Sequence, residues 1–203
     1  MHLALLLDSV KALRGGRFGD AGAYKAVALT AAPYPEPLMA VNALDEPLPD
    51  FAKLTSKSMP DGSLGQAYAA FISRHGIAPL SISPRVRREV APLNLVAVRY
   101  VVVHDLFHVL LGFDISRPGE LAVWSFVAEQ RYSRSYERAA ACARVLYRLA
   151  EPSVRIELER QRARAIEMAR KCNCLIGQPL ERFWSRPLAV ARRELGIYGA
   201  IDS

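Results

Sequence analysis

The chain has 203 residues, about the size of one domain. It is 51% hydrophobic and 23% charged, which excludes intrinsic disorder and allows a sizeable buried core. The formal net charge is +7, from 27 basic and 20 acidic residues, and 22 of the basic ones are arginine. That excess points to an acidic partner: nucleic acid, anionic lipid, or a phosphate or carboxylate ligand. Acidic residues interleave almost throughout and no nucleic-acid recognition motif is present, so nucleic acid is the weakest of the three.

The amino terminus, Met1 to Arg14, carries Leu3, Leu6, Leu7, Val10 and Leu13 at helical spacing. It predicts an amphipathic helix that either docks on the domain or lies on a membrane surface. The apolar run is too short for a signal peptide or a membrane span and lacks a positive leading region. The expected location is cytoplasmic, or peripheral on the inner face of a membrane. A small alanine-rich helix follows over Asp20 to Thr30. Residues 33–62 hold six prolines and predict mostly loop, because each proline removes an amide donor and restricts its predecessor. Ser63 opens a helix through Arg74, stopped by Gly76, with Leu64, Ala67, Tyr68, Phe71 and Ile72 on one face.

Pro92 opens the most apolar segment, Leu93 to Leu111, which Gly112 stops. Its apolar character runs nearly all round, the mark of a helix buried on several sides. Ser116 and Pro118 start the next helix, with Glu120 in its first turn. A break near Ser133 precedes a helix from about Tyr136 to Ala150. Pro152 opens another, to about Leu175, whose pairs Glu157–Arg160 and Glu167–Arg170 describe a solvated face. Pro187 to Leu195 is a last short helix. The reading is all-α, a single compact multi-helix domain over residues 1–203. Three cysteines, Cys142, Cys172 and Cys174, are too few and too irregular for a disulfide framework or a zinc finger and read as ordinary thiols.

The chemistry concentrates in His104-Asp105-x-x-His108, followed after eleven residues by Glu120. On a helix the two histidines lie about 40° apart around the axis and one turn apart along it, so both imidazoles reach one ion. Asp105 is a third ligand or a partner that orients one. A short turn folds the following helix back, so that Glu120 enters the site between the two central helices. Charged groups in an apolar helix are costly unless paired or metal-bound. Imidazole and carboxylate donors suit zinc first, with iron, manganese, cobalt and magnesium as alternatives. Two other metal motifs compete. A zincin protease carries glutamate where this chain has Asp105, and aspartate is one methylene shorter. A His-Asp metal phosphohydrolase needs an upstream histidine, for which His75 is available, and a distant aspartate, for which Asp114 is.

The spacing of His104, Asp105, His108 and Glu120 resembles the fingerprint His-Asp-x-x-His-x(11)-Glu of a coenzyme Q (ubiquinone) biosynthesis family. Arg99-Tyr100, Leu110-Leu111-Gly112 and Gly119-Glu120-Leu121-Ala122 continue the likeness in register. So do Met59-Pro60 with Gly65, Tyr68 and Phe71, Arg170-Lys171-Cys172, Glu181-Arg182-Phe183-Trp184 and Arg193-Glu194-Leu195-Gly196-Ile197. It covers roughly residues 55–197. Val101 and Val102 stand where the family usually has charged residues, and Trp124-Ser125 replace a more polar stretch. The resemblance implies a mostly helical fold and a divalent metal on His104, Asp105, His108 and Glu120, which would also be the catalytic residues. It implies a groove for a polyprenyl chain, with Phe107, Leu111 and Trp124 as its candidate border. It further implies an anionic membrane surface and other quinone-biosynthesis proteins, with a homo-oligomer possible, as partners. The implied reaction is oxidative decarboxylation at ring carbon 1 of a polyprenylated hydroxybenzoate. The non-catalytic alternative is a prenyl-lipid binding protein or scaffold.

Overall fold

The computed structural model describes residues 2–55 and 59–200. Met1, the expected start of the first helix, and residues 56–58, in the expected proline-rich loop, lie outside the described residues. The helices are α1 His2–Arg14, α2 Phe18–Leu29, α3 Pro35–Asn42, α4 Phe51–Thr55, α5 Leu64–His75, α6 Leu95–Leu111, α7 Arg117–Glu129, α8 Arg134–Ala150, α9 Arg155–Lys171 and α10 Leu188–Glu194. Among the described residues there is no β-strand, only an isolated bridge between Ser63 and Pro187. The fold is all-α, as the apolar periodicity predicts.

Helix α6 is the axis of the molecule. Thirteen of its 17 residues are buried, because α2, α5 and α7 pack around it. Asn94 caps its start by accepting from the Ala97 amide at 3.1 Å, so the helix begins at Leu95 rather than at Leu93. Its far end is closed by arginines. Arg192 of α10 donates to the Val109 and Leu110 carbonyls at 3.0 and 2.9 Å, and Arg164 of α9 donates to those of Leu111 and Gly112 at 3.3 and 3.2 Å. These are carbonyls that a helix C-terminus leaves unpaired, and the positive charge suits the dipole there. Arg99, wholly enclosed in mid-helix, donates to the carbonyls of Pro47, Ile176 and Gln178. It ties two loops to α6.

The proline-rich stretch is more ordered than its composition predicts. Pro35 and Pro37 sit in the first turn of α3, where no amide donor is required, so they start a helix instead of preventing one. The helix after Pro152 ends at Lys171, short of Leu175. Of its two expected ion pairs, Glu157–Arg160 forms at 2.8 Å. Glu167 instead takes Lys171 at 2.6 Å, and Arg170 reaches across to Glu129 at 2.7 Å. The cysteines are free thiols, and burial pushes Cys172 up to about 12.

Helix α1 docks on α2 through its less apolar side. Leu5 and Ala12 are buried, and the Ser9 hydroxyl donates to the Ala21 carbonyl at 2.8 Å. The stripe Leu3, Leu7, Val10 and Leu13 faces outward and is exposed. No single helix among the described residues is long and apolar enough to cross a membrane.

Candidate metal centre

Helices α6 and α7 build the site together. Gly112, at φ 67°, ends α6 in the left-handed conformation that glycine adopts without penalty. The chain then turns through Phe113 to Pro118, and Ser116 caps α7 by accepting from the Gly119 amide. Gly119 is obligatory there, since a Cβ would sit 2.0 Å from the Asp114 carbonyl oxygen. The turn delivers Glu120, in the first turn of α7, to the face of α6 that carries the histidines.

Glu120 Oε2 lies 3.7 Å from His104 Nε2, and its Oε1 lies 3.5 Å from His108 Nε2. One donor atom from each of the three residues falls within 4.8 Å of the others. Ligands about 2.1 Å from a shared ion in tetrahedral array would stand about 3.4 Å apart, so the spacing suits a first-row divalent metal. The outer ring nitrogens are occupied. His104 Nδ1 is paired with Asp105 Oδ1 at 3.1 Å, and His108 Nδ1 with the Phe113 carbonyl at 3.2 Å. Both Nε2 atoms therefore turn inward, the arrangement by which outer partners orient metal-binding imidazoles. His108 Nε2 is buried and without a hydrogen-bond partner. A cation would answer that nitrogen, and the donor set fits one.

Of the four expected ligands, the structure thus brings His104, His108 and Glu120 together and sets Asp105 behind His104. Electrostatics match this placement. Burial alone would lower the His104 imidazole, but pairing with Asp105 and Glu120 carries it up to about 9. Burial, and then the neighbouring His104 charge, push His108 down. Burial would raise Glu120, yet His104, His108 and the Trp124 indole hold it low. The extra ligands a phosphohydrolase would use stand apart from the triad. His75 packs on Phe71, with ring centroids 4.6 Å apart, and Asp114 accepts from the Ser116 hydroxyl and amide.

A cavity of about 300 Å³ adjoins the triad at His104. Its walls come from Leu29 of α2, Tyr100 and Val101 of α6, Trp124 of α7 and Tyr136 of α8, and they are mainly apolar. Gly22 lets α2 approach this closely, because a Cβ there would press on Val101 at 2.9 Å. Trp124 lines the cavity, whereas Phe107 and Leu111 are fully enclosed in the core. Phe107 packs edge-on against Tyr100, Phe126 and Tyr132. A larger cleft of about 690 Å³ opens around Asn94 and Pro47 at the other end of α6. It lies about 15 Å along the helix from His104, at 1.5 Å per residue. The smaller cavity is the one that shares residues with the triad. Sequence reasoning missed Tyr100, Val101 and Tyr136 as cavity residues. The spacing of Tyr100 and Val101 from His104, four and three positions earlier on one helix, was the available signal.

The family described as coenzyme Q (ubiquinone) biosynthesis protein Coq4 matches residues 45–200. The chain belongs to the Coq4 family. Among its relatives, the mitochondrial ubiquinone biosynthesis protein COQ4 homologue of Bos taurus is 32% identical over 148 residues, which is 73% of this chain and 54% of that protein. The Homo sapiens counterpart is 31% identical over the same length and shares. This Coq4-family chain spans about half the length of those relatives. In fold it is similar to the crystal structure of a Nostoc punctiforme protein described as acting in ubiquinone biosynthesis. The TM-score is 0.61 at 21% identity, covering 97% of this chain and 96% of that one.

Proposed function

We propose that this protein acts in coenzyme Q biosynthesis as a metal-dependent catalyst on a polyprenylated hydroxybenzoate, replacing the ring carbon 1 carboxylate by hydroxyl. The observation that carries this reading is the triad His104, His108 and Glu120 beside a mainly apolar cavity that His104 lines. Three nitrogen and oxygen ligands with a free position are the pattern of catalytic zinc, and two histidines with one carboxylate equally suit iron(II). When bound, the ion supplies Lewis-acid chemistry at the substrate carboxylate, and redox chemistry too if it is iron. Asp105 holds His104 in the ligating orientation, and the Phe113 carbonyl does the same for His108. Trp124 steadies Glu120 and presents an indole face to the ligand. Leu29, Val101 and the Trp124 ring exclude water and receive the first part of a prenyl tail. The reaction breaks the ring–carboxyl bond and forms a ring carbon–hydroxyl bond: carbon dioxide leaves, water supplies the hydroxyl oxygen, and the two electrons released reduce an oxidant such as dioxygen to hydrogen peroxide.

The outward stripe of α1 supports peripheral membrane contact. Leu3, Leu7, Val10 and Leu13 are exposed beside Lys11 and Arg14, a pairing that suits the anionic surface where a prenylated substrate resides. A second apolar patch, Val145, Leu146 and Leu149 on α8, favours the alternative reading of a lipid carrier or scaffold that meets other quinone-biosynthesis proteins or another copy of itself.

The deciding experiment incubates the metal-loaded protein with a geranylated para-hydroxybenzoate under air. Mass spectrometry should find the decarboxylated, hydroxylated ring. Tight binding of the ligand with no product over many hours would instead establish the carrier.

A further inference from the structure

Helix α8 carries an apolar face that no other described element covers. Only Tyr136 and Ala140 of its 17 residues are buried. Ser135, Ala139, Cys142, Leu146 and Leu149 follow one another at spacings of four, three, four and three, the a and d positions of a coiled-coil seam. Leu146 is 62% and Leu149 68% exposed, and Cys142 is exposed between them and the start of the helix. Small residues thus occupy the first half of the seam and leucines the second. The charges are divided in the same way. Arg134 and Arg138, at the start of α8, have no ion-pair partner among the described residues. The other end carries Glu151, paired with Arg117 at 2.6 Å, and the negative pole of the helix dipole. Arg144 and Arg148, which would have to border an anionic bilayer, are instead held by Glu159 at 2.8 and 3.2 Å.

We propose that two copies of this chain associate through an antiparallel pairing of their α8 helices. The leucines of each copy then lie on the small residues of the other, Leu146 on Cys142 and Leu149 on Ala139. Every layer joins a large side chain to a small one, so the helices keep an even spacing. Arg134 and Arg138 of each copy stand beside the carbonyl end of the other's α8, where the dipole favours a cation. A parallel pairing would set leucine on leucine at one end, leave alanines facing across a gap at the other, and crowd the unpaired arginines of both copies together. The antiparallel contact uses the same patch on both copies and closes on itself as a dimer. It also reaches the cavity. The Ser135 hydroxyl, at the start of the seam, accepts from the Ala31 amide at 2.7 Å and donates to the Leu29 carbonyl at 3.4 Å. Leu29 is an exposed part of the cavity wall. Leu149 and the exposed Ile156 of the second copy come to this end, so each copy covers the outer rim of the other's cavity. The pairing does not depend on the chemistry of the metal site, and its failure would leave that proposal as it stands.

Sedimentation velocity of the protein at micromolar concentration should find a dimer. Leu146→Glu combined with Leu149→Glu should give a monomer of wild-type helicity by circular dichroism, because neither side chain is buried within the chain. Ala139→Leu should also weaken the dimer, since it keeps the face apolar but fills the layer that receives Leu149. Cys142 reports the direction of pairing. It is the exposed thiol, whereas burial raises Cys172 and Cys174 and leaves them unreactive. Antiparallel copies hold their Cys142 residues about four positions apart along the seam, about 6 Å at 1.5 Å per residue before the width between the helices is added. That is too far for a disulfide. A short bismaleimide should therefore join two copies and a thiol oxidant should not, while Cys142→Ser should abolish the link and keep the dimer. A monomeric wild type overturns the proposal. So does a dimer that survives the double substitution, or one that oxidation links through Cys142, which is the parallel arrangement. A monomeric wild type that binds anionic vesicles, and loses them in the double variant, overturns it too and assigns the face to a lipid surface.

Discussion

At the scale of the residue, the site is held by atoms that touch no substrate. Asp105 was legible in the sequence as part of the motif, but its role was not. A dipeptide His-Asp is compatible with two ligands or with one ligand and its support, and only the side-chain geometry separates them. With His104 Nδ1 committed to Asp105 at 3.1 Å, the carboxylate sets the tautomer and direction of the ring. Replacing Asp105 by Asn should therefore weaken metal binding by about 10- to 100-fold, the usual cost of losing such a support, with the fold intact. Titration of the metal-free variant against a competing chelator measures this. The His104 imidazole also predicts a pH dependence. Its value is raised to about 9, so the metal-free ring carries a proton at neutral pH. A metal takes Nε2 only from the neutral ring. Affinity should therefore rise about tenfold per pH unit between about pH 6 and 8, and uptake should release about one proton per ion from this group. The sign for stability is the reverse. Pairing with Asp105 and Glu120 stabilises the metal-free protein in full below pH 6.5 and is lost as pH rises through about 9. Calorimetry in buffers of different ionisation enthalpy counts the protons.

At the scale of the element, caps and apolar spacing were legible and orientation was not. Ser63, Gly76, Gly112, Ser116 and Ser133 mark helix ends that the structure reproduces, because capping is a local hydrogen-bond requirement. The same local logic misjudged residues 33–62, where proline at a helix start reads like proline in a loop. Helix α1 shows the harder limit. Its apolar periodicity is plain, yet of that face Leu6 alone packs on the core while Leu3, Leu7, Val10 and Leu13 point outward, and nothing in the pattern tells which side meets the domain. That outward face yields a prediction. Leu7→Glu combined with Val10→Glu should abolish sedimentation with vesicles containing anionic lipid while leaving the melting temperature within about 1 °C, because neither side chain is buried. A protein that binds vesicles as before would locate the membrane contact elsewhere.

At the scale of the whole molecule, the arginine excess acquires a different meaning. Composition suggested an acidic partner, but Arg99, Arg164 and Arg192 spend their guanidinium groups on backbone carbonyls around α6. Such clasps join residues 52 to 83 positions apart, and no sequence pattern marks them. Arg99→Lys keeps the charge but not the fork that reaches three carbonyls. It should cost about 2–4 kcal/mol of stability in urea unfolding, since bonds from a charged donor are worth about 1.5–3 kcal/mol each. The all-α class and the metal motif were readable because each rests on short, periodic spacing. The cavity was not, because it needs α2, α6, α7 and α8 at once.

The proposed divalent ion is held by His104, His108 and Glu120. Elemental analysis of protein purified without added chelator, wild type beside His104→Ala and Glu120→Ala, tests this most directly. About one divalent ion per wild-type chain is expected, with a severe loss in both variants, each still helical by circular dichroism. Undiminished metal in both folded variants would contradict it.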